Sequence, residues 1–207
     1  LSSFFFFLMR KDPPFDLEYF YATHLLERAQ LQGARVFNSG AALRNHPEKL
    51  AILEFPQFTA PTLVTRDMEV LKRFYEQYGD VVYKPLDGMG GTGVFRAGPA
   101  ERNLNVILET LTAMGTQSIM AQQFLPEISQ GDKRILIIDG VPVPYCLARI
   151  PKTGETRGNL AAGGVGVAQP LSSSDRQVAE ALGPLLASRG LFLVGIDIIG
   201  DKLTEIN

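Results

Sequence analysis

The chain has 207 residues, 45% of them hydrophobic and 20% charged, with a formal net charge of −2. This length and apolar content support a buried core in one large or two small domains and exclude intrinsic disorder. The slightly acidic balance excludes a basic nucleic-acid-binding surface, and the single Cys146 excludes an internal disulfide framework and fits a reducing, cytoplasmic setting.

Phe4 to Met9 reads as a buried strand, ended by Arg10-Lys11-Asp12-Pro13-Pro14 because two prolines cannot continue a ladder. The apolar run from Leu1 is too short to span a bilayer and lacks the flanks of a signal peptide, so no membrane partner is expected. The chain starts without Met and stops in a strand-like pattern, which suggests a piece of a longer protein. Leu17 to Gln32 is helical, with Leu17, Phe20, Tyr21, His24, Leu25 and Arg28 at helical spacing; that stripe makes His24 a packed core histidine. Ala34 to Asn38 is the next strand, giving a β-α-β start. Asn45 to Leu50 reads as a short capped helix with Pro47 in its first turn. Thr62 to Thr65 is a strand, and Asp67 caps a helix running to about Tyr78. Strands follow at 81–84 and 92–96, a helix at about 103–114 and a strand at 118–122.

Gly131 to Gly140 is a strand ending in an Asp139-Gly140 turn, and Val141 to Ile150 returns as a hairpin. Pro142 and Pro144 suggest an edge or irregular strand, on which Cys146 packs as a small hydrophobe. Lys152 to Gly166 is glycine-rich with few apolar anchors, and reads as a long mobile loop of functional character. Ser174 to Arg189 is a helix, Leu191 to Ile199 a strand with Asp197 in its middle, and Asp201-Lys202 turns the chain into a last strand bearing Glu205 and Asn207.

Within this frame one stretch stands out: Lys84-Pro85-Leu86-Asp87-Gly88-Met89-Gly90-Gly91, after the apolar Val81-Val82-Tyr83. A cation at a strand end followed by glycines is suited to a phosphate, because consecutive N–H groups in such a turn form an anion nest. Gly88 to Gly93 matches G-x-G-x-x-G, but no helix opens after it, as a dinucleotide fold requires. A kinase loop places its lysine after the glycines, and no H-R-D or D-F-G follows. A Walker ending is absent. What remains is strand, lysine, glycine loop, strand; the plain alternative is a glycine-rich β-turn with a surface lysine.

Asp197 sits between isoleucines, where its charge is costly unless paired or bound to a cation. Glu205 and Asn207 are two apart and share a strand face, so an antiparallel return can set all three oxygen-bearing side chains together, a set suited to Mg²⁺. The alternative is an exposed face with ordinary acids. His24 and His46 offer neither a zinc site nor a serine or cysteine nucleophile's partner. Lys49, Lys84, Arg134, Arg149 and Arg157 with a magnesium face are instead the equipment for moving a γ-phosphoryl group.

Met9 to Asp16, Lys84 to Gly91, Pro144 to Pro151, Gly154 to Gly164 and Asp197 to Asn207 together resemble the bacterial glutathione synthetases, which are ATP-grasp ligases. The resemblance covers nearly the whole chain after Leu8. It implies an α+β, α/β architecture: an ATP-grasp fold with two α+β subdomains clasping ATP, at 46–122 and 123–207, and at 1–45 only the last part of the N-terminal pre-ATP-grasp domain. It implies a carbon–nitrogen ligase that phosphorylates the cysteinyl carboxylate of γ-glutamylcysteine with ATP and lets the amine of glycine attack the acyl phosphate. It further implies that Lys49 and Lys84 hold nucleotide phosphates beneath the loop Asp87, Gly88, Met89, Gly90 and Gly91. Gln122, Gln123, Phe124 and Leu125 would border adenine, and Asp132 the ribose side. Asp197, Glu205 and Asn207 would bind Mg²⁺ or Mn²⁺. Arg134, Arg149 and Arg157 would be catalytic, with Arg10, Arg149, Arg157 and Asn159 toward the dipeptide under a 152–166 lid, in a cytoplasmic homotetramer. The alternatives are another ATP-grasp carboxylate–amine ligase and a non-catalytic ATP-binding module.

Overall fold

A computed structural model describes residues 6–11 and 14–207. Two antiparallel sheets and a small parallel pair organise the chain. Among the described residues the opening is the expected β-α-β: β1 (Phe7–Leu8), α1 (Leu17–Leu31) and β2 (Val36–Phe37), with Phe7 paired to Val36 and Leu8 to Phe37. The start of the expected first strand, at Phe4 and Phe5, and the turn at Asp12-Pro13 lie outside the described residues. Asp16 caps α1 by accepting from the Tyr19 amide at 2.8 Å. The apolar stripe of α1 is not a core face: Leu17, Phe20, Tyr21 and Leu25 are exposed, and Thr23 is the buried position. His24 is accordingly exposed, edge-on to Phe20, not a packed core histidine.

The short helix also differs from expectation. It is α2 (Gly40–Asn45), ending where a start was expected, and its cap is Ser39, whose hydroxyl accepts from the Ala42 amide. Residues Leu50–Glu54 form a 3-10 turn. Ser39 supplies the oxygen that an N-terminal amide requires, whereas Asn45 lies at the other end, where amide donors are already used.

The first sheet contains β3 (Thr62–Thr65), β4 (Val81–Pro85), β5 (Phe95–Ala97) and β6 (Ile119–Gln123) in the order β3-β6-β4-β5. α3 (Met68–Tyr78) and α4 (Leu104–Leu111) cover one face, burying Leu71, Tyr83, Leu108, Ile119 and Ala121 together. Asp67 caps α3 by accepting from Glu69 and Val70, and Gly79 ends it in the left-handed region at φ 71°. Strand alternation turns Met120 of β6 the other way, into the second core. The strand expected at 92–96 begins only at Phe95, because Gly93 takes a positive φ and Thr92 bonds back to Met89.

The second sheet has β7 (Asp132–Ile138), β8 (Val141–Ile150), β9 (Val165–Pro170), β10 (Leu193–Ile199) and β11 (Lys202–Ile206) in the order β11-β10-β7-β8-β9. β9 falls partly in the stretch read as a structureless loop and pairs residue by residue with β8 from Ile150–Val165 to Tyr145–Pro170. β8 is internal from Tyr145 to Ile150, whereas its start, with Pro142 and Pro144, lies beyond the β9 pairing and carries a register shift opposite Ile135–Ile137, the edge and irregular stretch that the prolines suggest. Cys146 is buried, as expected of a small hydrophobe. The β7–β8 turn has Asp139 and Gly140 both at positive φ, as a tight two-residue hairpin demands.

α5 (Ser173–Ser188) lies across this sheet, burying Val178, Ala179, Leu182 and Leu186 against Ile135, Ile137, Val194 and Ile196. A reciprocal box of Ser172 and Asp175 caps it, and Asp175 also pairs with Lys133 of β7. The helix meets the β7–β8 turn at Gly183, where a Cβ would collide with the carbonyl of Gly140. Gly183→Ala should therefore cost ~1–3 kcal/mol through overpacking. In a chain of this size each kcal/mol lost lowers Tm by roughly 2–4 °C. Thermal unfolding checks this; an unchanged or raised Tm would contradict the close approach.

Candidate active site

The sheets face each other across a cleft of about 270 Å³. Its first wall is the β4 end. Lys84 is buried there, with Nζ 3.5 Å from Glu205 Oε1 of β11 and 3.5 Å from the Thr204 carbonyl. Lys49, also buried, donates to the Gly88 carbonyl at 2.7 Å and lies 3.6 Å from both Glu205 and Glu48. One lysine thus holds the glycine loop while both flank the same carboxylate.

The second wall is cross-strand pairing. Asp197 of β10 lies opposite Arg134 of β7 on one side and Glu205 of β11 on the other, and Asp132 of β7 lies opposite Arg149 of β8. Directly opposed residues share a sheet face, so the register brings acids and arginines together. Arg134 grips Asp197 with two donors, Nε to Oδ1 and Nη2 to Oδ2 at 2.7 Å. Arg149 donates to Asp132 and reaches Asp197 Oδ2 at 2.9 Å. A register shift after Asp197 leaves Thr204 bonded through its hydroxyl to the Asp197 carbonyl. Bulges of this kind re-aim side chains beside functional sites. Asn207 follows β11, exchanging main-chain bonds with Gly195 at 2.6 and 2.7 Å.

Charge is balanced here: Glu48, Asp132, Asp197 and Glu205 stand against Lys49, Lys84, Arg134 and Arg149. Burial, and then the neighbouring Glu205 carboxylate, push Glu48 up to about 8. Burial and Asp197 push Asp132 up to about 7, against the pull of Arg149. Glu205 is likewise buried, but Lys84 and Lys49 hold it below the ordinary carboxylate range. Burial draws the Lys84 ammonium down, with Glu205 opposing. Among the described residues the Oδ1 atom of Asp132 is buried without a hydrogen-bond partner, a costly state that invites a ligand group.

The segment from Gln122 to Leu125 closes the far end. Gln122 bonds Thr62, the Gln123 amide bonds the Pro61 carbonyl, and the Phe124 amide bonds the Asp80 carbonyl. Arg96, held by Asp80, stacks its guanidinium 3.6 Å from the Phe124 ring centre. Leu125 completes the lining. Above the cleft, Gly91 at φ 80° lies so near the 152–166 stretch that a Cβ would sit 2.8 Å from Asn159 Oδ1 and 3.0 Å from Arg157 Cδ. Arg157 pairs with Glu155 at 2.6 Å, not with the cleft acids, and its hydrogen bond holds Glu155 well below the usual range.

The structure thus gathers Lys49, Lys84, Gly88, Met89, Gly90, Gly91, Gln122, Gln123, Phe124, Leu125, Asp132, Arg134, Arg149, Arg157, Asn159, Glu205 and Asn207 around one cleft. Arg10 and Asp87 line a second cavity of about 140 Å³ with Tyr19, Asn38 and His46; Glu48, Arg134 and Asn207 border both. Asp87 is thereby on the neighbouring cavity and not in the cleft beneath the glycine loop. Sequence reading missed Glu48; its adjacency to Lys49 was visible, its position against Glu205 was not.

A divalent cation suits these donors. Asp197, Glu205 and Asn207 offer hard oxygens on paired strands. With Glu48 and Asp132 inclined to keep their protons, the cations outweigh the remaining acids, and the cleft favours an anionic ligand. Among the described residues no three His, Cys, Asp or Glu side chains form a ready-made metal cage, and the arginines hold Asp197 in this form. The set fits a metal shared with a ligand better than a resident structural one.

A glycine hairpin on one antiparallel sheet, closing toward a second sheet lined with acids and arginines, defines an ATP-grasp protein. Solved structures of that fold superpose on the chain. D-cycloserine synthetase DcsG covers 100% of this chain and 76% of its own, with a TM-score of 0.73 at 17% identity. An ATP-grasp ligase, PsnB, complexed with minimal precursor, Mg and ADP, covers 89% of this chain and 57% of its own, with a TM-score of 0.64 at 23% identity. The model of the prokaryotic glutathione synthetase ATP-grasp domain matches residues 48–207, and that of the same family's N-terminal domain matches 1–44; the chain belongs to the prokaryotic glutathione synthetase family. The glutathione synthetase of Bordetella parapertussis is 68% identical over 200 residues, covering 97% of this chain. That of Nitrosomonas europaea is 62% identical over 207 residues, covering all of it. The chain spans 63% and 65% of the length of those relatives.

The proton-retaining acids set a sign for pH. Glu48 and Asp132 bind protons more tightly folded than unfolded, so their stabilising effect is complete below the ordinary carboxylate range and is lost as pH rises through about 7 to 8. Glu205 acts oppositely, but only at acid pH. The Tm of the ligand-free protein should fall between pH 6 and 8.5, and Asp132→Asn should flatten that fall; a Tm rising over this window would overturn the assignment.

Proposed function

We propose that the full-length protein is a glutathione synthetase, which joins γ-glutamylcysteine to glycine with ATP and releases glutathione, ADP and phosphate. The observation that carries this reading is the convergence of Lys49, Lys84 and the glycine loop on the Asp197–Glu205 pair, in a chain of this family. Two subdomains, at 46–122 and 123–207, clasp the nucleotide after a remnant domain at 1–45. The protein acts in the cytoplasm.

Lys84 and Lys49 neutralise the phosphates from opposite sides, and the main chain of Gly88 to Gly91 covers them. Adenine lies along Gln122 to Leu125. The amides of Gln123 and Phe124 already bond inside the protein, so recognition there falls to the remaining main-chain groups and the flat Phe124–Arg96 stack. Asp132 borders the ribose, where its unpartnered Oδ1 accepts a hydroxyl. Arg134 and Arg149 exchange their carboxylate partners for the acyl phosphate and then for the oxyanion of the tetrahedral intermediate. Donors aimed in advance at developing charge are the largest usual source of acceleration in such sites. Arg10, in the cavity beyond Arg134, binds the dipeptide, and Arg157 and Asn159 close over it. The 152–166 lid keeps water from the acyl phosphate. Asp197, Glu205 and Asn207 would hold Mg²⁺ or Mn²⁺, which would supply positive charge against the phosphates.

Two measurements test this. Full-length protein given γ-glutamylcysteine, glycine and ATP with Mg²⁺ should release one ADP per glutathione. ADP release only with another carboxylate–amine pair would move it to a different ligase, and ATP binding without turnover on any pair would make it a binding module. Lys84→Ala should weaken ATP at least tenfold; since a hydrogen bond involving a charged group contributes ~1.5–3 kcal/mol, unchanged affinity would remove Lys84 from the phosphate site.

A further inference from the structure

Glu48 touches the proposed metal face without belonging to it. Its main-chain carbonyl accepts from the Ile206 amide at 3.1 Å, so its place beside β11 is fixed by backbone. Its carboxyl adjoins that of Glu205 and lies 3.6 Å from Lys49.

The Asn207 amide can take two orientations. One lets its nitrogen donate to the Gly195 carbonyl at 3.3 Å and to Asp197 Oδ2 at 3.4 Å, but sets that nitrogen beside the Arg134 guanidinium and its oxygen against the Glu48 carboxyl. The other lets nitrogen donate to Glu48 Oε1 at 3.0 Å and oxygen accept from Arg134 Nη2 at 3.3 Å. Only the second gives both the oxygen and the nitrogen a partner and parts the amide nitrogen from the guanidinium, which favours it. The amide oxygen then occupies a position 3.3 Å from the Gly195 carbonyl oxygen and 3.4 Å from Asp197 Oδ2. Here the Arg134 guanidinium lies beside the amide oxygen and Asp197, in a place where a divalent cation could draw the same oxygens together, and Glu48 is the acceptor that holds the amide this way round. A carboxyl has two oxygens, so one can face Glu205 while the other accepts from Asn207.

We propose that Glu48 is a positioning residue for the divalent cation: by accepting from the Asn207 side-chain nitrogen it turns the amide oxygen toward Asp197, without ligating the metal itself. This rests on the metal reading of Asp197, Glu205 and Asn207. Groups that orient a metal ligand through hydrogen bonds commonly change metal affinity about 10–100-fold when removed.

The test is Mn²⁺ affinity of the full-length protein in saturating ADP, read from the electron paramagnetic resonance signal of free Mn²⁺. Glu48→Ala should weaken Mn²⁺ about tenfold or more, with Glu48→Met as a second truncation that better preserves volume. Glu48→Gln should stay within about threefold of wild type, because its oxygen still accepts from Asn207 and its nitrogen donates to Glu205. Adding Asn207→Ala to Glu48→Ala should weaken Mn²⁺ little beyond the larger single effect, since both act through one amide. Wild-type affinity in both truncations would overturn the inference. So would Glu48→Gln falling as far as Glu48→Ala, which would make Glu48 a charge or ligand in its own right. If wild type bound no Mn²⁺, the metal reading itself would fail, and Glu48 would have no cation to position.

Discussion

The cleft depends on one arrangement: carboxylates and cations taken out of water and set opposite each other across neighbouring strands. Asp197 is buried on an apolar strand and is tolerable there because Arg134 and Arg149 both reach it. Glu205 does the same for Lys84 and Lys49. Removing any member leaves its partner's charge buried and uncompensated, which costs far more than the pair contributes. The register of β7, β8, β10 and β11 is therefore bound to the site's charges, and a slip of one residue would turn each charged side chain to the wrong face.

The same pairs keep the cleft ready. Arginines held by carboxylates are already desolvated and aimed, so a ligand bearing phosphate or carboxylate exchanges one anionic partner for another. Formal charge balances, but the protons that Glu48 and Asp132 retain leave the cations in excess near neutral pH, which favours an incoming anion. Asp132, with one oxygen unmatched, and Glu48, pressed against Glu205, are where the balance is least complete. Both belong to the part of the cleft that a ligand would rearrange.

Much of this was legible in the residues. Lys84 and the glycines announced a loop at the cleft by local backbone chemistry, and the Asp139-Gly140 turn announced its hairpin. The spacing of Glu205 and Asn207 announced a shared face. What was not legible depended on distant partners. The stripe of α1 looked like a core face, but periodicity cannot say whether anything covers it, and Leu17 and Leu25 stand exposed. The loop at 152–166 hid the start of β9 because glycine and alanine carry little strand signal, while pairing with β8 supplies the order. Glu48 was unremarkable in sequence, since its significance comes from residues more than a hundred and fifty positions away.

Gly91 has a consequence for the order of events. Without a side chain it lies against Arg157 and Asn159, so the glycine hairpin and the 152–166 stretch share a contact surface. Neither flap can settle fully while the other is displaced. Under the proposed function, a ligand that seated one flap would build half the seat of the other, and binding beneath the two would be thermodynamically linked through a seam of main chain and two side chains.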